Sequence, residues 1–386
     1  MRTVKNLAIG LMVAVMLFNV TCVMADNGDF LTSPTKNGGQ KWRIGYYEGG
    51  EYQDYQRVLV ATIAGLMKLA WLDEVEIPAQ DGTQTKDFWQ WLSTNAQSNF
   101  LEFVADAHYS ANWDNELRET MAAEIIDRLT NTGDIDFMIA AGTRAGQDLA
   151  NNQHSIPTMV ISTSDPIASG IIESVEDSGF DHIHARVNPT RHEREVMIFH
   201  DIIGFQRLGI AYKDTVDGRS YASVELIEKV AGERGFELVR CYADGDNADE
   251  TIALESVKQC FHELGNTADA IYVTVQPSIS AKHVPELVEI ANSYSLPTFS
   301  QPGSEEVKYG YLMSISVAGF KYLGDFQATV MAKILNGAKP RDLEQLFEDP
   351  PKIAINLKTA EIIGYDPPVD VLGVADEIYQ EIATPE

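Results

Sequence analysis

From residue 41 onward, short apolar runs alternate with longer segments of helical period. The short runs are typical of buried parallel strands, and the longer segments, with apolar residues three or four positions apart, of amphipathic helices. The pattern predicts strands at residues 42–47, 137–141, 158–162, 208–212, 237–242, 270–275 and 311–315. It predicts helices at residues 56–72, 115–129, 145–151, 221–234, 249–264, 285–293 and 320–335. This order of elements indicates an α/β protein with doubly wound parallel sheets.

The predicted strands are too numerous for one hydrophobic core, so we expect two sheets. Residues 73–114 fit neither pattern, because their aromatic residues fall in a polar segment without a clean period. We expect this segment to elaborate the first half of the chain. Residues 26–40 are polar and rich in turn-forming residues, which predicts a flexible tether ahead of the first strand.

The first 25 residues have the three parts of a secretory signal peptide. A basic start precedes residues 7–18, which are almost entirely apolar, and a small-residue pattern ends at Ala25. We therefore expect cleavage after Ala25 and a location in the periplasm. Two alternatives stay open. One is a retained membrane anchor, which Asn19 and Thr21 would interrupt, and the other is lipidation of Cys22.

The chain is strongly acidic, with 57 Asp and Glu against 29 Lys and Arg and a formal net charge of -28. This balance argues against nucleic acid and anionic membrane surfaces as partners. After the signal peptide the longest apolar stretch is residues 58–72, and Lys68 interrupts it. We therefore expect no direct membrane insertion once the signal peptide is removed.

Cys241 and Cys260 would reach a compartment that permits disulfides. Cys241 lies toward the end of a predicted strand, whereas Cys260 lies about eleven residues, or roughly 16 Å, into the helix that follows. A disulfide needs Cα atoms within about 7 Å of each other. We therefore expect two separately buried thiols and no bridge.

The first loop with candidate binding chemistry follows the predicted strand 137–141, where Gly142, Thr143 and Arg144 begin a helix. In open α/β sheets, ligands bind beyond the carboxyl ends of the strands. Free backbone N–H groups at the helix start and the Thr143 hydroxyl suit a carboxylate. An ordinary capped helix is the alternative interpretation.

The second such loop follows residues 158–162 and contains Ser164 and Asp165, with Pro166 preventing further strand. Asp165 could meet an ammonium group, or the two residues could only shape a turn. If both loops line one cleft, they provide an anion site beside a cation site. Such a pair suits an amino-acid-like zwitterion.

Other chemical features are weaker. His182 and His184 would share one face of a strand, yet no third ligand follows at a recognised metal spacing, so ordinary histidines are the preferred interpretation. The motifs of serine hydrolases, metalloproteases and nucleotide-binding loops do not occur. We predict no catalytic residue, metal or cofactor.

Four tyrosines cluster around the first strand and its loop, and they could form an aromatic box around a flat or cationic ligand. Alternation along the strand would bury one of the first two, so core packing explains part of the cluster. The four residues are Tyr46, Tyr47, Tyr52 and Tyr55.

Residues 136–172 resemble the substrate-binding proteins of ABC transporters, in the type I periplasmic-binding group that includes binders of aromatic amino acids. The shared features are a D-x-x-x-x-x-G-T-x-A run followed by I-P-x-x and S-D-P-x-x-x-G. The resemblance implies two parallel-sheet lobes joined by crossover segments, with a ligand cleft between them. Residues 41–163 plus 303–345 would form the N-terminal lobe, and residues 166–300 plus 350–386 the C-terminal lobe.

The resemblance also implies where the ligand contacts lie. They come from the loops already described, from the loop after the first strand at residues 48–52, and from residues 274–278 in the second lobe. The predicted set is Glu48, Tyr52, Gly142, Thr143, Arg144, Ser164, Asp165, Tyr212, Gln276 and Gln301. The family pattern is not matched at residues 181–186 or at Gln276-Pro277-Ser278, which leaves the ligand identity open.

The resemblance predicts a monomeric, exported solute-binding protein that captures a small amino-acid-like ligand, aromatic ones included, and presents it to an ABC permease. Thr143 and neighbouring amides would hold a carboxylate, Asp165 an ammonium group, and Tyr52 or Tyr212 the side chain. One alternative is a sensor that feeds a histidine kinase or chemoreceptor, and another is an exported α/β enzyme.

Overall fold

The computed structural model describes residues 30–80, 82–277, 279–317, 320–348 and 351–385. The predicted signal peptide, its cleavage site at Ala25, Cys22 and residues 26–29 of the tether lie outside this range, as does Ser278. The described strands form two separate sheets, one of five strands and one of seven. The protein therefore has the two α/β halves that the alternation of elements predicts.

The first sheet is entirely parallel and has the strand order β2-β1-β3-β4-β5. Its strands are β1 (Trp42–Glu48), β2 (Leu101–Ser110), β3 (Phe137–Ala141), β4 (Thr158–Ile161) and β5 (Ile183–Ala185). The helices of this region are α1 (Gln53–Lys68), α2 (Lys86–Asn95), α3 (Asn115–Asp127), which continues as a π-helical turn over Arg128–Thr132, and α4 (Gly142–Leu149).

The second sheet has the order β12-β11-β10-β9-β8-β6-β7 and is parallel except for the pair β10 and β11. Its strands are β6 (Arg207–Tyr212), β7 (Glu237–Tyr242), β8 (Ala270–Val273), β9 (Thr298–Ser300), β10 (Met313–Val317), β11 (Pro351–Asn356) and β12 (Glu377–Tyr379). The helices are α5 (Arg191–Ile203), α6 (Val216–Tyr221), α7 (Val224–Arg234), α8 (Glu250–Gly265), α9 (Val284–Ser293), α10 (Ser304–Lys308), α11 (Phe320–Leu335), α12 (Leu357–Ile363) and α13 (Val369–Val374).

Both faces of the first sheet are buried. Along β1, Tyr46 packs in a core cluster with α1 and α11, and Tyr47 packs in a second cluster on the opposite face. Both tyrosines are fully buried, whereas alternation on a one-sided sheet would bury only one. Each fully buried side chain of this size contributes roughly 1.5–3 kcal/mol of transfer free energy, which makes the strands the rigid support of the loops that follow them.

The chain passes between the two lobes more than once, and one helix shows this clearly. Helix α11 follows β10 of the second sheet but packs against α1 in the core of the first lobe. The two helices approach closely because glycine lies on both at the contact, at Gly65 and Gly324. Elsewhere, a bridge between Val187 and Leu346 ties two of the crossover segments together.

The lobe boundaries in the structure differ from those expected from the sequence. Strand β5 pairs with β4 in the first sheet, although residues 166–300 were assigned to the second lobe. Strand β10 belongs to the second sheet, although residues 303–345 were assigned to the first. In both places the parallel neighbour extends a buried sheet, and the crossover comes after the strand.

The described part of the predicted tether is held against the first lobe, which differs from the flexible segment expected. The Asn336 side-chain amide donates to the carbonyls of Leu31 at 2.8 Å and Ser33 at 3.0 Å. The Trp71 indole donates to the Thr32 carbonyl at 2.8 Å. This segment has no apolar pattern that would bury it, and it is held instead by hydrogen bonds from first-lobe side chains to its backbone carbonyl groups.

Cys241 and Cys260 form a disulfide, with Cα atoms 5.5 Å apart, so the expectation of two separate thiols was wrong. The loop after β7 reverses the chain, and α8 then packs back against that strand. Asp249 starts the helix by accepting hydrogen bonds from the backbone N–H groups of Thr251 and Ile252. The helix therefore carries Cys260 back to the end of β7.

No helix in the described ranges is both long and apolar enough to cross a bilayer.

Candidate ligand-binding cleft

A large open cavity of about 1100 Å³ lies between the two lobes. We call it the mouth. One face of α1, including Arg57, Val60 and Ala64, forms its first-lobe wall, and residues 279–282 and 302–306 form much of its second-lobe wall. Its volume slightly exceeds the range of about 300–1,000 Å³ that is usual for small-molecule sites.

A smaller cavity of about 80 Å³ lies where the strand ends of both lobes meet. We call it the floor. It shares several lining residues with the mouth, so the two are parts of one cleft. From the first lobe it is lined by Thr143 and by Ser162, Thr163 and Ser164, and from the second by residues that include Gln301. The loops after β3 and β4 thus converge on one site, as the general rule for parallel sheets predicts.

Gly142 gives the turn after β3 a shape that only glycine adopts without strain. Its φ is +84°, and a Cβ at this position would overlap the hydroxyl of Tyr55. Tyr55 in turn packs edge-on against Tyr52, with ring centroids 5.2 Å apart. Two of the four clustered tyrosines therefore line the floor beside the predicted turn.

Thr143 lies on the floor, as the sequence predicts. Its hydroxyl oxygen is 3.2 Å from that of Thr163, so the two hydroxyl groups pair across the ends of β3 and β4. Ser162, which precedes Thr163, has a left-handed backbone with φ of +53°, which is uncommon for a residue other than glycine. These hydroxyl groups can each donate to a ligand oxygen and accept from a ligand N–H.

Arg144 is also buried, but it is engaged away from the floor. Its Nε donates to Asp217 at 3.2 Å, and its Nη2 donates to Asp246. The guanidinium carbon also lies 5.3 Å from the centre of the Trp113 ring. Both carboxylates belong to the second lobe, so they neutralise Arg144, and its expected contact with a ligand is replaced by a contact between lobes.

Asp165 shapes a turn, which was the alternative to contact with a ligand ammonium group. Its carboxylate accepts the backbone N–H groups of Ile167 at 3.1 Å and Ala168 at 2.9 Å, and so stabilises a turn. It does not line the mouth or the floor. Ser164 beside it does reach the floor.

Glu48 and Tyr212 also lie away from both cavities. Glu48 is buried beneath Thr85 and accepts hydrogen bonds from the hydroxyls of Tyr46 at 2.8 Å and Thr85 at 2.7 Å. Burial raises the pKa of Glu48 to about 7. Tyr212 belongs to the core of the second lobe and packs edge-on against Tyr242.

Gln276 and Gln301 are both buried near the cleft. Gln276 donates to the Ala211 carbonyl at 2.7 Å and borders a narrow cavity next to the floor. Gln301 lines the floor itself, donating to the Tyr221 carbonyl at 2.8 Å and accepting from the Val275 N–H at 2.9 Å. Gln301 therefore fixes two second-lobe segments in position around the site.

Two carboxylates beside Tyr52 were missed by the sequence analysis. Asp54 lines the floor, and burial raises its pKa against the opposing effect of Arg57, whose Nη1 is 3.7 Å away. Glu306 lines the mouth, accepts a hydrogen bond from Ser300 at 2.7 Å, and has its pKa raised to about 7 by burial. Asp54 is two positions beyond a residue that was predicted, so extending the first loop would have found it.

The histidines singled out by the sequence have ordinary contacts. A ring nitrogen of His184 lies 3.0 Å from the Glu344 carbonyl, and His182 packs edge-on against His154, with ring centroids 4.6 Å apart. Among the described residues there is no group of three or more His, Cys, Asp or Glu that could hold a metal ion.

Comparison with known proteins shows which family this chain and its fold belong to. The family model described as ABC transporter substrate binding protein matches residues 106–378. The chain belongs to this family. Its members are solute-binding proteins, and the expected type I periplasmic-binding fold is confirmed by solved structures. No curated protein sequence matches the chain.

Three solved structures illustrate the likeness, each 18% identical to this chain. A conserved domain protein from Vibrio cholerae has a TM-score of 0.67, with 88% of this chain and 100% of that chain covered. An ABC domain from Streptococcus pneumoniae, in complex with L-Trp, has a TM-score of 0.64, with 87% and 99% covered. The ligand-free, open form of a substrate-binding protein with adhesive properties from Clostridium difficile has a TM-score of 0.56, with 88% and 100% covered. At this identity the likeness shows the fold alone.

Proposed function

We propose that the chain is the exported solute-binding component of an ABC importer and that it captures a small amino-acid-like ligand on the floor of the cleft. The main support is the convergence on one cavity of Thr143, Ser164 and Gln301, which come from three different strand ends and from both lobes. A solute-binding protein of this family has a membrane permease as its partner, and the basic and apolar start of the chain is consistent with export.

In this proposal Thr143, Ser164 and the amides at the start of α4 hold the ligand carboxylate. Asp54, rather than Asp165, receives the ammonium group, because Asp54 lines the floor while Asp165 accepts from its own turn. Burial raises the pKa of the Asp54 carboxyl group, and a neighbouring ammonium group would lower it again by stabilising the charged form. The paired rings of Tyr52 and Tyr55 provide the surface for an apolar or aromatic side chain.

Ligand capture works through lobe closure. A ligand on the floor touches both lobes, so it gains more contacts when they approach than when they separate. This difference in affinity shifts the equilibrium toward the closed form, which is the form that a permease would recognise.

Isothermal titration calorimetry with each of the standard amino acids tests the proposal. We expect at least one to bind, and Thr143→Ala to weaken that binding by about 10-fold to 100-fold, the value of one hydrogen bond to a charged group. Thr120→Ala serves as the matched control, because Thr120 lies exposed on α3 and its hydroxyl donates to the Glu116 carbonyl of its own helix. Failure of all amino acids to bind, or equal affinity of the Thr143 and Thr120 variants, would contradict the proposal.

A further inference from the structure

A buried charge cluster joins the two lobes along one flank of the cleft. From the first lobe comes Arg144, whose side chain is 4% exposed. From the second come Asp246, which is 1% exposed, Asp217, which is 16% exposed, and Lys213. Opening the cleft by moving the lobes apart along this flank would separate Arg144 from both carboxylates.

The second-lobe half of the cluster is complete by itself. Asp246 accepts from the Lys213 ammonium at 2.6 Å and from the Tyr221 hydroxyl at 3.1 Å, in addition to Arg144. Lys213 also pairs with Asp244 at 2.7 Å. Asp246 therefore keeps partners when the lobes part, and so the buried carboxylate does not prevent opening.

The first-lobe half of the cluster is also held in position by contacts within its own lobe. The Arg144 guanidinium stacks over Trp113 and donates to the Trp113 carbonyl at 3.2 Å, which fixes its direction while leaving the opposite edge to face the second lobe. A planar guanidinium held in this way loses little side-chain entropy when it meets a carboxylate. A second contact on the same flank is the hydrogen bond from the Ser220 hydroxyl to the Asp165 carbonyl, at 2.9 Å.

One residue connects this cluster to the floor. The Tyr221 hydroxyl donates to Asp246, its backbone carbonyl accepts from Gln301, and Tyr221 itself lines the floor. A ligand on the floor and the ion pair on the flank therefore share a residue. Occupancy of the floor can act on the same lobe contact that Arg144 makes.

We propose that Arg144, with Asp217 and Asp246, is a latch that closes this flank of the cleft in the absence of ligand, with Tyr221 as the residue that couples it to the floor. This inference rests on the lobe closure of the proposed function but not on the identity of the ligand. Because the latch raises the population of the closed form before the ligand arrives, its loss weakens ligand affinity by the factor by which that population falls.

Electron paramagnetic resonance between spin labels on the two lobes tests the latch directly. Labels at Glu119→Cys in α3 and Glu233→Cys in α7 occupy exposed positions in the first and second lobes. For the ligand-free protein we expect a short, narrow distance distribution. Arg144→Met should shift it by several ångströms and broaden it, and Arg144→Lys should restore it in part.

The control is Arg207→Met, because Arg207 forms an exposed ion pair with Asp269 inside the second lobe. It should leave the distribution unchanged. Asp217→Asn provides a second test from the other lobe, should the Arg144→Met chain fail to fold by circular dichroism. A folded Arg144→Met chain whose distribution matches that of the unsubstituted protein would overturn the latch, and if that chain does not fold, a matching distribution for Asp217→Asn would overturn it.

The outcomes also separate the latch from the proposed ligand. Opening by Arg144→Met with no binding of any amino acid would support the latch and contradict the proposed ligand class. Binding of an amino acid with unchanged distances in both variants would do the reverse.

Discussion

At the scale of single residues, the contrast between Thr143 and its neighbour Arg144 shows what spacing along the chain can and cannot predict. Both were predicted to contact a ligand because they follow a buried strand, and the structure places Thr143 on the floor. Arg144 points to carboxylates roughly 70 and 100 positions further along the chain, at Asp217 and Asp246. A sequence gives no means of finding such partners, because their proximity depends on how the lobes meet.

Gly142 supports a prediction at this scale. Gly142→Ala should destabilise the fold by more than Gly204→Ala, because both have positive φ but only Gly142 faces a neighbouring side chain, that of Tyr55. The backbone effect alone is about 1–2 kcal/mol. Urea unfolding of the two variants measures the difference, and Tyr55→Phe should reduce it by removing the nearest atom. Equal losses for Gly142→Ala and Gly204→Ala would refute the contact.

Glu48 supports a prediction about pH. Its pKa in the folded protein is raised to about 7 from an ordinary 4.5, so the folded state holds this proton over a pH range in which the unfolded state has released it. The contribution of Glu48 to stability is therefore present below about pH 4.5 and is lost as the pH rises through 7. Glu48→Gln removes this dependence, while the exposed Glu124→Gln on α3 retains it.

The measurement is the free energy of unfolding in urea at pH 5 and pH 8. The unsubstituted protein should lose stability from pH 5 to pH 8 as Glu48 is deprotonated, and Glu48→Gln should not. The stability of Glu48→Gln relative to the unsubstituted protein should therefore be higher at pH 8 than at pH 5, by an amount on the order of 1–3 kcal/mol. A difference independent of pH would show that Glu48 titrates normally in the folded protein.

At the scale of elements, the runs with a clear period were predicted well, but several elements were missed, among them the 13-residue helix α5. The seven predicted strands and seven predicted helices correspond to elements of the structure, with ends that differ by a few residues. Strands β5, β9 and β12 have three residues each, too few to show a pattern. Strand β2 was missed because its register shifts against β1 between Ile44 and Tyr46, which interrupts its alternation.

The disulfide is an element-scale feature, because it depends on α8 packing back over β7. It closes a loop over a sequence separation of 19 residues, for which the expected stabilisation is about 3 kcal/mol. Dithiothreitol should therefore lower the midpoint of urea unfolding. The Cys241→Ser, Cys260→Ser double variant should start at the lower midpoint and not respond to the reductant. Two titratable thiols in the native, unreduced protein would contradict the bridge.

At the scale of the whole molecule, the sequence predicted two lobes and a cleft but not the path of the chain between them. The alternating elements predict two α/β sheets, and the resemblance of residues 136–172 implies the type I periplasmic-binding fold, which is confirmed. The crossovers were misplaced because a crossover has no period of its own. The sequence pattern of helix α11 is that of an ordinary amphipathic helix and does not show which lobe it joins. Its packing on α1 assigns it to the first lobe.

The same limit applies to the cleft. Four of the residues predicted to contact a ligand line the floor, namely Tyr52, Thr143, Ser164 and Gln301. Two others do not, because Asp165 stabilises a turn and Tyr212 packs in the core of the second lobe. Which polar residue at a strand end faces the cleft depends on the turn that follows the strand. Sequence therefore predicts the loops that form the site more securely than the side chains that enter it.

The central claim is that an amino-acid-like ligand binds on the floor and contacts both lobes. A crystal structure of the complex with the amino acid that binds most tightly by calorimetry tests it most directly. We predict density for the ligand within hydrogen-bonding distance of Thr143 and Asp54 of the first lobe and in contact with a second-lobe residue such as Gln301. Density confined to the outer mouth, or contacts with one lobe alone, would contradict the account.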